Sequence, residues 1–320
     1  MKNKSKRLIC IEEYAQINGI NQYLFHLGTK YENPVLLYLH GGPGSAESLF
    51  AHLFQEKLEE IYTVVHWDQR GTGKTLTKNP DKYPTIDLMT DDLFDVIQYL
   101  KKKYKKEKIS LIGHSWGSVL GSIFIKKYPE EVAYYIGFAQ LVSMRENLTI
   151  AYKKLEESIN QANDKKSFKR LKLIGDYPGE KIVLNNELLK KCSKVLKLQK
   201  KYNLADRHDW AVFFQALKSP IFKISDISAY LKGLKANKKV LEELAEYDLT
   251  SEPADYKVPI YYISGGDDWQ VPYVIAQKYF EQINAPRKKF FLIPNAGHML
   301  MVDQPKLFCD TLLEIYSAEK

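Results

Sequence analysis

A serine set among glycines, Gly113-His114-Ser115-Trp116-Gly117, is the stretch of this chain best suited to chemistry. Lys108 to Ile112 runs into it as a short apolar strand, and Ser118 to Lys127 leaves it with helical spacing that stops before Pro129. A serine on a strand-to-helix turn has its hydroxyl held out above the sheet. Glycines are needed around it, where a Cβ would collide with the neighbouring strand and helix. The N–H groups that open the following helix aim at the point where negative charge develops when a hydroxyl attacks a carbonyl. The chemistry is acyl transfer with Ser115 as nucleophile, in preference to a Gly-rich βα turn with an incidental serine.

Such a nucleophile needs a base, and the base needs an orienting acid. In the nucleophile–acid–histidine chain order both come after residue 115. Of the seven histidines only His208 and His298 do, and only His298 lies just past a late apolar strand, in Pro294-Asn295-Ala296-Gly297-His298. His208 stands among Asp206, Arg207 and Asp209 and reads as a solvated or structural histidine. His298 is therefore the expected base. The acid belongs to Gly265-Gly266-Asp267-Asp268, where one of two adjacent aspartates faces the imidazole and the other caps the next helix or meets solvent. An oxyanion hole needs two N–H donors. One is Trp116, next after the serine. The other comes from His40-Gly41-Gly42-Pro43-Gly44, where Pro43 has no N–H and Gly42 is preferred to Gly41. His40 precedes the nucleophile and is read as bracing this loop by a hydrogen bond.

These groups need a scaffold that brings strand ends together, and the chain has the rhythm for one. Residues 8–17 and 20–27 flank Asn18-Gly19, a strong hairpin signal. Apolar strands are expected at 35–39, 62–67, 108–112, 132–141, 258–264 and 289–293, with helices at 87–104 and 305–317. Strands alternating with helices predict the α/β class, with a mostly parallel central sheet covered by helices on both faces. Function then sits at the carboxyl ends of the strands. Between the strands at 132–141 and 258–264 the pattern turns to lysine-rich amphipathic helices. The expected organisation is a core of residues 1–143 and 251–320 with a helical cap inserted at 144–250.

The 320 residues suffice for one large α/β domain with such an insertion. No apolar run approaches the roughly 18 residues of a membrane span. The basic start, Met1 to Arg7, is followed by too short an apolar run for a signal peptide. Three scattered cysteines, Cys10, Cys192 and Cys309, form neither a metal-ligand spacing nor a disulfide framework, so a cytoplasmic location is expected. The net charge is +8, and residues 153–201 alone carry fourteen Lys or Arg against six Asp or Glu. With no stacking-aromatic pattern among them, these lysines read as a solvated helical face rather than a nucleic-acid surface. The expected partner is a small-molecule or short-peptide substrate, and the oligomeric state is left open.

Taken together the motifs resemble the α/β-hydrolase fold, and more closely the prolyl iminopeptidase branch of the serine peptidases. The resemblance rests on His40-Gly41-Gly42-Pro43-Gly44, Asp68-Gln69-Arg70-Gly71-Thr72-Gly73, Gly113-His114-Ser115-Trp116-Gly117-Ser118, Gly297-His298 and Gly265-x-x-Asp268-x-x-x-Pro272. It covers roughly residues 20–143 and 255–305. It implies release of an N-terminal residue, often proline, from short peptides. Ser115 would be the nucleophile, His298 the base, Asp268 its orienting acid, and Gly42 and Trp116 the oxyanion donors. Asp68 and Arg70 would brace the loops beside the site, and no metal or organic cofactor is implied. The chain departs from the family at His114, where glycine is usual, at Gly266-Asp267, where Arg-Tyr is usual, and at Thr75, where serine is common. The family often holds the substrate amine with a Trp-Glu pair in the cap, where this chain has Trp210-Ala211. Glu146, Glu156, Glu157, Asp206 and Asp209 are the conceivable anchors. An esterase or lactonase using the same three residues is the alternative. A ligand receptor on the same fold has no need of all three.

Overall fold

The computed structural model of the protein describes residues 8–205 and 214–320. It opens on a hairpin, β1 (Ile9–Ile17) and β2 (Ile20–Gly28), paired antiparallel in continuous register from Ile9↔Gly28 to Ile17↔Ile20. Asn18 and Gly19 both take positive φ in the turn, which is why Asn-Gly serves there. Next come β3 (Val35–Leu39), β4 (Thr63–Asp68), β5 (Ile109–His114), β6 (Val132–Phe138), β7 (Ile260–Gly265) and β8 (Lys288–Ile293). The sheet order is β1-β2-β4-β3-β5-β6-β7-β8. β2 meets β4 antiparallel, and every pairing from β4 to β8 is parallel.

The central strands are buried on both faces and read as unbroken apolar runs, Val35-Leu36-Leu37-Tyr38-Leu39 being the clearest. Edge strand β8 instead carries exposed Lys288 and Lys289, which discourage pairing with another chain. β6 is shorter than its apolar run predicts. It ends at Phe138 because Ala139 turns to a φ of 45°, and Gln140 then spends its side chain on Ser118, Ser122 and Leu141.

Core helices are α1 (Gly73–Lys78), α2 (Ile86–Tyr104) and α3 (Trp116–Lys127). α2 is capped by the Thr85 hydroxyl on Leu88 N–H, has Asp87 in its first turn and lysines in its last, and buries Leu93, Val96, Ile97 and Leu100. Between β6 and β7 the described chain is helical: α4 (Met144–Gln161), α5 (Lys165–Lys172), α6 (Asn186–Lys201), α7 (Ile224–Ala236) and α8 (Lys238–Leu244). Leu155, Ile159, Leu171, Ile174, Val195, Leu198 and Leu204 give α4 to α6 a small core of their own. α9 (Tyr273–Gln282) and α10 (Pro305–Glu319) complete the fold.

α7 presents Asp226, Ala229, Gly233 and Ala236 inward and leaves Ile224, Tyr230, Leu231 and Leu234 exposed. Its small inner residues let it lie against the sheet-end loops. A Cβ on Gly44 would stand 2.7 Å from the Gly233 carbonyl carbon, and one on Gly233 would strike the Gly44 carbonyl oxygen. Two polar ties hold the helix in place. Asn237 donates to Gly71 O at 2.8 Å, and Lys74 Nζ meets Asp226 Oδ2 at 2.7 Å with both side chains buried. Lys74→Met strands the Asp226 carboxylate in the interior. It is expected to lower the unfolding free energy by about 3–5 kcal/mol, checked by urea unfolding.

Among the described residues, no helix is long and apolar enough to cross a membrane, and no group of His, Cys, Asp and Glu could hold a metal ion.

Candidate active site

β5 delivers Ser115 to the carboxyl end of the sheet in a backbone state that serine rarely adopts, with φ 49° and ψ −112°. Such a conformation costs about 1–3 kcal/mol and persists only where surroundings enforce it. Here Ser115 N–H donates to Phe138 O at 3.1 Å. The Ser115 carbonyl accepts both the N–H and the hydroxyl of Ser118, at 2.9 and 2.6 Å. Leu141 N–H in turn donates to the Ser118 hydroxyl at 3.0 Å. The elbow is therefore gripped from β6, from α3 and from the loop after β6. A Cβ on Gly117 would land on the Leu39 carbonyl, so α3 approaches β3 closely only because glycine stands there. Ser115 is half-buried while its neighbours are buried.

His298, in the loop after β8, points Nδ1 at Asp268 Oδ2 at 3.0 Å, and both side chains are buried. A carboxylate accepts, so Nδ1 carries the proton and the neutral ring has its lone pair on Nε2. The other Asp268 oxygen accepts Gln270 N–H at 3.0 Å and Val271 N–H at 2.8 Å. Asp268 thus faces the imidazole and pins its own loop at once, while Asp267 is exposed.

The loop after β3 packs beside the elbow. Gly42 takes φ 118° and is exposed, and Trp116 is the first residue of α3. Among the described residues, neither the Gly42 nor the Trp116 N–H is hydrogen-bonded to an acceptor. His40 donates from Nδ1 to Gly41 O at 2.7 Å and accepts Gln69 N–H on Nε2 at 3.2 Å. Burial pushes this imidazole below its ordinary range. With both nitrogens committed it braces the loop.

Sequence reasoning passed over Gln69. Its Oε1 accepts the Trp116 indole N–H at 2.8 Å, its Nε2 reaches His40 O, and so it links the elbow to the β3 loop. Its place inside Asp68-Gln69-Arg70-Gly71 was the available signal. Asp68 accepts the Ser48 hydroxyl and Lys74 N–H, both at 2.8 Å, and burial raises its carboxyl despite these bonds. Arg70 makes a two-pronged contact with Asp92 at 2.7 and 2.8 Å and reaches Asn18 O, so it braces α2 and the hairpin turn. Of the acids considered for holding an amine, Glu146 lies in the first turn of α4, next to Asn147, whose amide donates to Gln270 O. Glu156 faces Lys172 at 3.5 Å and Glu157 is exposed. Asp206 and Asp209, with His208, Trp210 and Ala211, lie outside the described residues.

Comparison with known proteins adds three findings. A family model described as alpha/beta hydrolase fold matches residues 34–305. The chain is 31% identical to a probable aminopeptidase, YbaC, of Bacillus subtilis (strain 168), over 96% of each chain, and 26% identical to the proline iminopeptidase of Lactobacillus helveticus (strain DPC 4571), over 95% of this chain and 97% of that one. Among solved structures it is similar to a proline iminopeptidase-related protein from Thermus thermophilus, with a TM-score of 0.64 at 21% identity, covering 97% of this chain and 98% of the other.

Proposed function

From the premise that the chain belongs to the α/β-hydrolase family, we propose that it is a serine hydrolase, and within that class an aminopeptidase that releases the N-terminal residue of short peptides. The observation that carries the reading is the His298–Asp268 pair at 3.0 Å, at the same end of the sheet as a serine held at φ 49°. The aminopeptidase assignment is supported by the relatives named above.

In the proposed reaction the Ser115 hydroxyl attacks the carbonyl carbon of the N-terminal residue. His298 Nε2 takes the hydroxyl proton, and Asp268 stabilises the imidazolium through Nδ1–H. The oxyanion is held by the N–H groups of Gly42 and Trp116. His298 returns its proton to the leaving amine, which departs and leaves an acyl-enzyme ester on Ser115. Water, deprotonated by the same imidazole, cleaves that ester, and its proton returns to Ser115 as the amino acid leaves. Residues 144–250 act as a cap over this centre, on a core of 1–143 and 251–320. The free, scattered cysteines suit a reducing cytoplasm.

A second reading keeps this chemistry and takes an ester or lactone. The lysine excess at 153–201 favours it, because a cationic cap recognises an α-ammonium poorly. A panel of Pro- and Ala-naphthylamides, their N-acylated forms and p-nitrophenyl esters separates the two. Turnover of the free-amine amides, lost on N-acylation, is the expected result. Turnover of esters alone would overturn the aminopeptidase assignment.

A further inference from the structure

The residue before the serine has a role that the mechanism above does not use. His114, the last residue of β5, is buried with its ring stacked on Phe138, centroids 4.4 Å apart and planes at 11°. Its Nε2 lies 3.1 Å from the carbonyl oxygen of His298. A carbonyl only accepts, so Nε2 carries the proton of that bond. Its Nδ1 lies 2.6 Å from Glu47 Oε1, and the other Glu47 oxygen accepts the Tyr38 hydroxyl at 2.8 Å. Glu47 is buried, yet its carboxyl sits below the ordinary range: burial raises it, and His114, His40 and the Tyr38 hydroxyl together lower it by more.

Glu47 belongs to the short helical turn that follows the Gly41-Gly42 loop. The contact lies directly beneath that loop. A Cβ on Gly41 would stand 2.7 Å from Glu47 Oε1 and 2.8 Å from His114 Nδ1. One buried side-chain pair thus touches three segments: the elbow, to which His114 is joined covalently; the β3 loop, through Glu47; and the base loop, through His298 O. The Asp268 bond fixes the His298 ring, and the His114 bond fixes the main chain that carries it.

We infer that His114 and Glu47 are positioning residues, a clamp that sets the registry of His298 against Ser115 and the oxyanion loop. This inference rests on the serine-hydrolase reading above. The clamp acts by geometry. Glu47→Gln preserves it, because the amide can donate to Nδ1, accept from Tyr38 and leave Nε2–H on His298 O. His114→Phe keeps the stack on Phe138 and loses both bonds.

The test counts intact sites by stoichiometric fluorophosphonate labelling and measures kcat per labelled serine. For His114→Phe, kcat per site is expected to fall about 10- to 100-fold with KM little changed, as for a misplacement of about 1 Å at a reacting centre. Glu47→Gln is expected to keep most of the wild-type kcat per site, and Glu47→Ala to fall with His114→Phe. If His114→Phe does not fold, His114→Gln, whose amide reaches only one partner, takes its place with the same expectation. An unchanged kcat per site in the His114 variant, or a Glu47→Gln as impaired as Glu47→Ala, would overturn the clamp. Wild-type protein that does not label at Ser115 sinks the serine-hydrolase reading instead, so the two failures are distinguishable.

Discussion

Ser115→Ala is expected to lower kcat/KM by on the order of 10^3-fold or more for every substrate the protein turns over, and to end fluorophosphonate labelling. The size of the loss follows from what remains. In the proposed mechanism the substrate still binds and the Gly42 and Trp116 N–H groups still face its carbonyl oxygen, but no acyl-enzyme can form. Alanine at the same φ 49° bears the same backbone strain as serine, and the bonds that grip the elbow run through main-chain atoms of residue 115. The variant is therefore expected to unfold at a temperature close to that of the wild type, so lost activity reports lost chemistry. Activity that survives the change would remove Ser115 from the mechanism.

Asp268→Asn makes a sharper statement, because the structure dictates how the new amide must sit. Oδ1 accepts two main-chain N–H groups, from Gln270 and Val271. An amide nitrogen placed there would meet two donors, so the amide oxygen keeps that position and the NH2 group turns to His298. Facing a donor, Nδ1 becomes an acceptor and the ring proton moves to Nε2, the nitrogen that takes the serine proton in the proposed reaction. The fold is kept and the tautomer is wrong. A loss of about 10^4-fold in kcat is expected, measured per site on protein of unchanged melting temperature. A loss below tenfold would mean that Asp268 does not orient the base.

Much of this candidate site was legible in the residues, because its parts sit at the ends of strands whose apolar runs are plain. Chain order left His298 with one rival, and adjacency left Asp267 beside Asp268 until the loop geometry placed one outside and the other against the imidazole. The rest turned on pairings between distant segments. Glu47 and His114 are 67 positions apart, and nothing local in either marks the other. Gln69 is known by its two partners, one on each side of it. Apolar periodicity also misleads at α7. Ile224, Leu231 and Leu234 are 83%, 75% and 68% exposed, while Asp226 and Gly233 face inward. There the tight approach to Gly44 and the tie to Lys74, both tertiary, outweigh hydrophobic pattern. The strand expected over 132–141 runs three residues past the end of β6 because the apolar run continues to Leu141, whereas Ala139 turns to a φ of 45° and Gln140 gives its side chain to Ser118 and Ser122.

The contact between Gly44 and Gly233 bears on how this protein can vary. A clash between two side chains can be repaired by trimming the partner, and much of the correlated change within families records such repairs. Here each glycine meets the main chain of the other, so a larger residue at either position leaves nothing opposite to trim. No compensating substitution is available within the pair. Relief can come only from moving α7 as a body, against the anchors at Lys74 and Asn237. The two positions therefore behave in a genetic sense as a single site, closed to drift from either side, whose history would show as joint constancy rather than covariation.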